Sequence, residues 1–338
     1  MRIPSPLNWF GGKSRLASKI VQRFPQHHTY VEPFGGSAAV LLAKHPSPVE
    51  IYNDIHEGLV SFFRVLREPR LFASLRRAVE NTLYARAEFE LAKQSTDDPV
   101  EAARRFIVRS RQSFGGKGRE WSYAIKNSHG GRASGVRRWQ MGIEGLPAAH
   151  QRFRDVQIEC DDWRIVMSRY DSPETLFFLD PPYVPTTRVS GKYGHEITQD
   201  DHHELVAQLL KFKSMAVLSG YDHETYKPLE RAGWKRVDYH VRTHASDYRT
   251  RRVESIWISP SVVNHAENRK FFLSPTGRMS EGAYRSHQVR VDASTKRVLR
   301  AIVKFRAGGR KVTISSIGRA TDLSREHLSR KYRHLFQA

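Results

Sequence analysis

His28-Thr29-Tyr30-Val31-Glu32 runs through Pro33 into Phe34-Gly35-Gly36-Ser37, and Val49-Glu50-Ile51-Tyr52 ends at Asn53-Asp54. The first segment reads as a short strand, and the glycine pair lets the backbone turn and approach a ligand closely. Ala38 to Lys44 is expected to continue as a helix whose N-terminus offers free N–H groups. The second segment reads as the next strand. Its terminal acid, Asp54, stands about twenty residues beyond the turn, where such sheets hold a ribose diol. A lone glycine turn is weak evidence; strand, turn, helix, strand and acid together open a doubly wound α/β sheet that binds a nucleotide.

Outward from this stretch, Lys13 to Phe24 has helical spacing, with Leu16, Ile20 and Phe24 on one face. Leu59 to Leu83 and Arg86 to Ser110 read as amphipathic helices with many exposed arginines. Ser113-Phe114-Gly115-Gly116-Lys117-Gly118-Arg119 and the residues up to Trp139 read as a mobile basic loop region carrying Trp121, Tyr123 and Trp139. Strands return at Val156 to Cys160 and at Thr175 to Leu179, a continuous apolar run as expected of a strand buried on both faces. A helix over Asp201 to Phe212, a strand over Met215 to Leu218, and a hairpin of Trp234 to Arg242 with Arg252 to Ser259 complete the sheet. The expected organisation is an α/β domain from 1–55 and 156–260, a helical insert at 56–155, a linker at 261–290 and a basic tail at 291–338. Three short helical segments in the tail suggest a helix-turn-helix, against the plainer reading of a packing appendage.

The chain of 338 residues carries a formal net charge of +21. Residues 261 to the end hold 17 Lys/Arg against 5 Asp/Glu, so 12 of the excess charges lie there. Such an excess attracts polyanions, and nucleic acid is the first partner to consider, ahead of a generically basic surface or an anionic membrane; the basic insert and the helix-turn-helix reading favour duplex DNA. Arg111, Lys117, Arg119, Lys126, Arg137 and Arg138 in the insert, with Arg325 and Arg330 in the tail, are the candidate phosphate contacts. No apolar run approaches the roughly 20 residues that span a bilayer, and the N-terminal residues lack a signal peptide's apolar core. A single cysteine, Cys160, excludes an internal disulfide and a cysteine-rich zinc site. The pairs His27-His28 and His202-His203 diverge on a strand or a helix, so no metal is expected and both are read as solvated. A reducing, cytoplasmic setting fits this composition.

Asp180-Pro181-Pro182-Tyr183 carries the chemistry. Two prolines fix φ and remove backbone donors, leaving a stiff corner of carbonyl acceptors. The Asp180 carboxylate and the Pro181 carbonyl can each accept one proton of an exocyclic amine, drawing its lone pair out of conjugation. The Tyr183 ring can stack on the base, a contact worth about 1–3 kcal/mol. As a bare tetrapeptide this is also a proline turn; its place after a buried strand favours function.

Asn8-Trp9-Phe10-Gly11-Gly12-Lys13 is a third element. It lacks the first glycine of a triphosphate loop, because Leu7 stands five residues before Gly12. A mobile aromatic and a lysine there can close over a nucleoside and a carboxylate. The same tetrapeptide recurs as Phe114-Gly115-Gly116-Lys117, read as coincidence between basic loops.

In this order the three elements resemble the DNA adenine methylase family, in the group with the glycine-lysine segment first and Asp-Pro-Pro-Tyr late. The resemblance covers about residues 5 to 260 and implies a Rossmann-like methyltransferase sheet using S-adenosyl-L-methionine to methylate N6 of a flipped adenine. It implies that Trp9, Lys13, Glu32, Phe34, Gly35 and Asp54 contact the cofactor. Asp180, by the same likeness, is catalytic and lies near the cofactor's methionine moiety, with Pro181, Pro182 and Tyr183 completing the catalytic segment. The insert would recognise the target sequence, and a cognate restriction endonuclease is a candidate partner. The cofactor loop keeps the family's small residues only in part, since Ser37 follows the Gly35-Gly36 pair. Cytosine C5 chemistry is set aside because it needs a nucleophilic cysteine, and Cys160 lies among acids. Cytosine N4 methylation, an RNA or protein amine substrate, and a non-enzymatic DNA-binding regulator with a relic cofactor domain are the alternatives.

Overall fold

In the computed structural model of the chain, the described residues are 3–125, 128–129, 131–187, 195–242, 251–263, 298, 301, 313–321 and 328. Residues 1–266 form one compact unit and 267–338 another. In chain order the first unit contains α1 (Ala17–Val21), β1 (Thr29–Glu32), β2 (Val49–Asn53), α2 (Glu57–Arg67), α3 (Pro69–Glu80), α4 (Arg86–Leu91) and α5 (Pro99–Gln112). A two-strand ribbon, β3 (Ser128–His129) with β4 (Arg132–Ala133), precedes α6 (Ser134–Glu144) and α7 (Leu146–Phe153). Then follow β5 (Gln157–Glu159), α8 (Trp163–Tyr170), β6 (Thr175–Leu179), α9 (Gln199–Leu209), β7 (Met215–Gly220), α10 (Lys227–Arg231), β8 (Lys235–Arg242) and β9 (Arg251–Ile258). In the second unit α11 (Ile314–Thr321) is described, with Val298, Ile317 and Leu328 buried. The expected tail segments 294–305 and 324–336 lie largely outside the described residues.

Seven strands form one sheet in the order β5-β2-β1-β6-β7-β9-β8. The first five are mutually parallel, and β9 pairs antiparallel with both β7 and β8. Both faces are covered. Tyr30, Tyr52, Leu176 and Phe178 pack on the side of α1, α2, α5 and α7, while Val31, Ile51, Phe177 and Leu179 pack against α8, α9 and α10. All five residues of β6 are therefore buried, as its unbroken apolar run requires. Strand order reverses between β1 and β6, and ligands of doubly wound sheets bind at the strand C-termini there.

Several helices differ from their expected extents for local reasons. Glu68-Pro69 divides the expected 59–83 helix, because Pro69 cannot donate and pushes Glu68 to extended backbone (φ −76°, ψ 123°). The freed Glu68 carboxylate then caps α3 by accepting from the Leu71 N–H at 2.8 Å. Asp98-Pro99 opens α5 in the same way, with Asp98 accepting from Glu101 N–H at 2.7 Å. The expected helix over Ala38 to Lys44 is instead a series of tight turns, since positive φ at Gly36 (49°) and Ala38 (54°) breaks the run of right-handed residues. The basic region after Ser113 is also more ordered than expected. Ser113 bridges Trp121, and residues 134–144 form α6 with Trp139 buried.

Candidate active site

A cavity of about 490 Å³ opens at the reversal point and gathers the three sequence elements. Trp9 and Lys13 line it from the N-terminal segment, Glu32, Phe34 and Gly35 from the end of β1, Asp54 from the end of β2, and Asp180, Pro181 and Pro182 from the end of β6. Gly35 has no substitute: a Cβ there would fall 2.2 Å from the Tyr52 ring. Tyr52 in turn donates its hydroxyl to the Gly36 carbonyl at 2.7 Å. Asp54 accepts from Gly36 N–H at 2.8 Å and from His56 N–H at 2.9 Å, so the acid is tied to the glycine turn. Trp9 is held over the other side by Phe106, stacked at 6.0 Å, and by His56, edge-on at 5.8 Å.

The electrostatics of the cavity run against those of the chain. Glu32, Asp54, Asp161, Asp162, Asp180, Glu196 and Asp201 all line it, against Lys13 and Arg164. Burial pushes Glu32 up to about 8, even though it accepts the Tyr30 hydroxyl proton at 2.6 Å. Burial likewise raises Asp54 and pushes Asp180 up to about 6, where the Lys13 ammonium opposes the rise. Lys13 Nζ lies 2.7 Å from Asp180 Oδ1 and 3.8 Å from Glu254 Oε2, and it is 5% exposed. A carboxylate-lined cavity in a basic protein is suited to a compact cationic ligand.

Tyr183 is next to this cavity but does not line it. Its ring is buried, its face carries the Lys13 ammonium at 4.7 Å, and Tyr221 meets it edge-on at 4.5 Å. The hydroxyl lies 3.4 Å from Ser219 Oγ and 3.5 Å from Glu254 Oε2.

The candidate phosphate contacts separate. Lys117, Arg119 and Arg138 are exposed and Arg137 is half-buried. Arg111 is a correction. It donates to the carbonyls of Pro6 (2.5 Å), Ser5 (2.7 Å) and Arg138 (3.1 Å), and burial lowers its pKa to about 10, so it is spent on internal backbone. Lys126, Arg325 and Arg330 lie outside the described residues. The two Phe-Gly-Gly-Lys segments, read as a coincidence, meet in space. Lys117 Nζ sits 5.0 Å from the Phe10 ring centroid, and a Cβ on Gly116 (φ 72°) would fall 2.5 Å from the Asn8 carbonyl oxygen.

Sequence reasoning missed Ile55, Trp163, Asp161, Asp162, His56, His195 and Glu254. Ile55 is 47% exposed although apolar, and it lines the cavity together with Phe34 and Trp163, whose ring centroids lie 6.0 Å apart. Its place directly after Asp54 was the available signal. Glu254 is a strand residue on β9, far from any motif, and nothing in the chain marked it. His202 also corrects the expectation of solvated histidines, because it is 0% exposed. Among the described residues no group of His, Cys, Asp and Glu could hold a metal ion, and no helix is long and apolar enough to cross a membrane.

An α/β sheet of this order, with an acid–Pro–Pro corner beside a carboxylate-lined cavity at the strand C-termini, is consistent with an α/β methyltransferase. Residues 9–243 match the model of the D12 class N6 adenine-specific DNA methyltransferases, and the chain belongs to that family. It is 27% identical to the Type II methyltransferase M.MjaIII of Methanocaldococcus jannaschii over 212 residues, which cover 56% of this chain and 72% of that one. It is 24% identical to a DNA adenine methylase of Haemophilus influenzae over 236 residues, covering 65% and 79%. Against the Retron Ec67 DNA adenine methylase of Escherichia coli the identity is 26% over 216 residues, covering 62% and 72%. The protein is an adenine-specific DNA methyltransferase.

Proposed function

We propose that the chain uses S-adenosylmethionine to methylate N6 of an adenine rotated out of duplex DNA. The observation that carries this is the convergence of Asp180, Pro181 and Pro182 with Glu32, Gly35 and Asp54 on one cavity. The lining suits the cofactor: Gly35 and Asp54 face the cavity from one turn, Asp54 would accept from a ribose diol, and Phe34, Ile55 and Trp163 would offer apolar surface to a purine. Asp180, ionised above about pH 6, adds a charge suited to a cation, whereas Glu32, pushed up to about 8, is protonated near pH 7 and offers hydrogen bonding instead. S-adenosylmethionine supplies a sulfonium methyl group when bound.

The remaining work belongs to the chain. A base inside the duplex is out of reach, so it must leave the stack at a cost of a few kcal/mol. Asp180 and the Pro181 carbonyl each accept a hydrogen bond from the exocyclic amine and aim the nitrogen lone pair; as the nitrogen gains the methyl group, its one surplus proton passes to the ionised Asp180 and from there to solvent. Stacking on Tyr183 requires Lys13 to withdraw from that ring, which it covers at 4.7 Å. Holding two reactants in near-attack geometry can be worth about 7–11 kcal/mol, so no covalent enzyme intermediate is needed. The insert at 56–155 presents Lys117, Arg119, Arg137 and Arg138 to DNA, and the tail beyond 261 adds affinity. A cognate restriction endonuclease is the proposed biological partner. The test is incubation of the purified protein with genomic DNA and tritiated S-adenosylmethionine, followed by nucleoside analysis. Label in N6-methyladenine is expected; no transfer, or label in N4-methylcytosine alone, would overturn the proposal.

A further inference from the structure

Asn53 ends β2 one residue before Asp54, yet it does not line the cavity and is 1% exposed. Its side-chain amide is fully engaged behind the cavity wall. Nδ2 donates to the Pro33 carbonyl at 2.8 Å and to the Asp161 carbonyl at 3.0 Å, while Oδ1 accepts from the Asp161 N–H at 2.8 Å. The backbone carbonyl of Asn53 accepts from the Gly35 N–H at 2.8 Å. Two carbonyl acceptors and one N–H donor admit a single orientation of the amide.

The partners of Asn53 lead into two different walls. Pro33 runs into Phe34, Gly35 and Gly36 after β1, and Asp161 runs through Asp162 into Trp163 at the start of α8; all of them line the cavity. Backbone pairing does not join these walls. The β1–β2 register ends at Glu32 and Tyr52, and the β2–β5 register ends at Asn53 and Glu159. Beyond those points the Asn53 amide takes the place of a strand peptide, exchanging both a donor and an acceptor bond with Asp161 as a hydrogen-bonded strand pair does. Of the short side chains, only an amide carries the two functions together. We propose that Asn53 is a positioning residue that holds the Pro33–Gly36 turn and the Asp161–Trp163 loop at a fixed separation, and so sets the width of the cofactor cavity between Phe34 and Trp163. The inference rests on the reading of that cavity as the S-adenosylmethionine site.

The test compares Asn53→Leu and Asn53→Ser with wild type in the full chain. Leucine keeps the size of the side chain without donor or acceptor, and the serine hydroxyl is too short to span both partners. Calorimetry measures affinity for S-adenosylhomocysteine; steady-state assays give kcat, KM for S-adenosylmethionine and KM for DNA; thermal melting reports folding. In both variants we expect binding of S-adenosylhomocysteine to weaken, and KM for S-adenosylmethionine to rise, by at least about ten-fold. The value of kcat at saturation and KM for DNA should stay within about three-fold, the pattern of a lost binding contribution rather than of general damage. Wild-type cofactor affinity in either folded variant overturns the inference, as does a loss that falls equally on kcat and on KM for DNA. Should Asn53→Leu not fold, Asn53→Ser decides by the same criteria; failure of both to fold marks Asn53 as a framework residue and also overturns it. Absence of S-adenosylhomocysteine binding by the wild-type protein is a different result and strikes the proposed function itself.

Discussion

Asp180 stands between opposing influences. Burial disfavours its charged form, Lys13 at 2.7 Å favours it, and the balance leaves its pKa at about 6. An amine proton acceptor must be ionised, so the sign is clear: kcat/KM should fall as pH drops through about 6 and level off above it. A pH–rate profile of the wild-type enzyme with no acidic limb near that value would remove Asp180 from this role. Asp180→Ala should lower kcat by about a thousand-fold or more while DNA affinity, mostly phosphate electrostatics, stays within about three-fold. Filter binding beside the methylation assay checks both. Gly35→Ala should destabilise the protein by about 1–3 kcal/mol, because its methyl would meet the Tyr52 ring 2.2 Å away, and thermal melting reads that directly. Legibility at this scale followed sequence locality. Asp54, Gly35 and Asp180 announce themselves through neighbours in the chain, and all reach the cavity. Arg111 and Lys117 look alike in sequence; only packing reveals that Arg111 serves the carbonyls of Ser5 and Pro6.

Elements were legible where burial is uniform and illegible where a turn is forced by a distant partner. β6 occupies residues 175–179, four of them the apolar run Leu176 to Leu179 that a strand buried on both faces favours. The stretch 38–44 has good helix formers, yet the glycine turn tied to Asp54 at 2.8 Å sets its backbone otherwise. Another long-range tie holds α7 to the sheet. Glu50 on β2 is 2% exposed and accepts from Lys44 and from Arg152 on α7, with Arg152 Nη2 2.8 Å from Glu50 Oε1. Burial alone would raise Glu50, but these two cations hold it below the usual carboxylate range. Removing one partner strands a buried charge, so Arg152→Ala should cost about 3–5 kcal/mol in chemical denaturation. A change under about 1 kcal/mol would mean that the Glu50 charge is satisfied without α7.

At the scale of the whole molecule, charge is partitioned. The chain carries +21, while the cavity at the strand C-termini is walled largely by acidic side chains, so a polyanion is drawn to the exterior and a cation to that cavity. Residues 261 to the end hold 12 of the excess charges, and both hydrophobic clusters of the sheet end before residue 264. Deleting 267–338 should therefore leave the first unit's core intact while stripping cations from the DNA phosphates. Every phosphate that is no longer neutralised by a side chain lowers the magnitude of the slope of log K against log salt by about 0.9 on duplex DNA. We expect the truncated enzyme to bind more weakly at low salt, with a slope smaller in magnitude by at least about two, and to keep its kcat on saturating DNA. Titrations from low to moderate salt measure the slope, and single-turnover methylation measures the rate. An unchanged slope would mean that the basic tail does not touch the phosphates and that the insert supplies the electrostatic attraction alone.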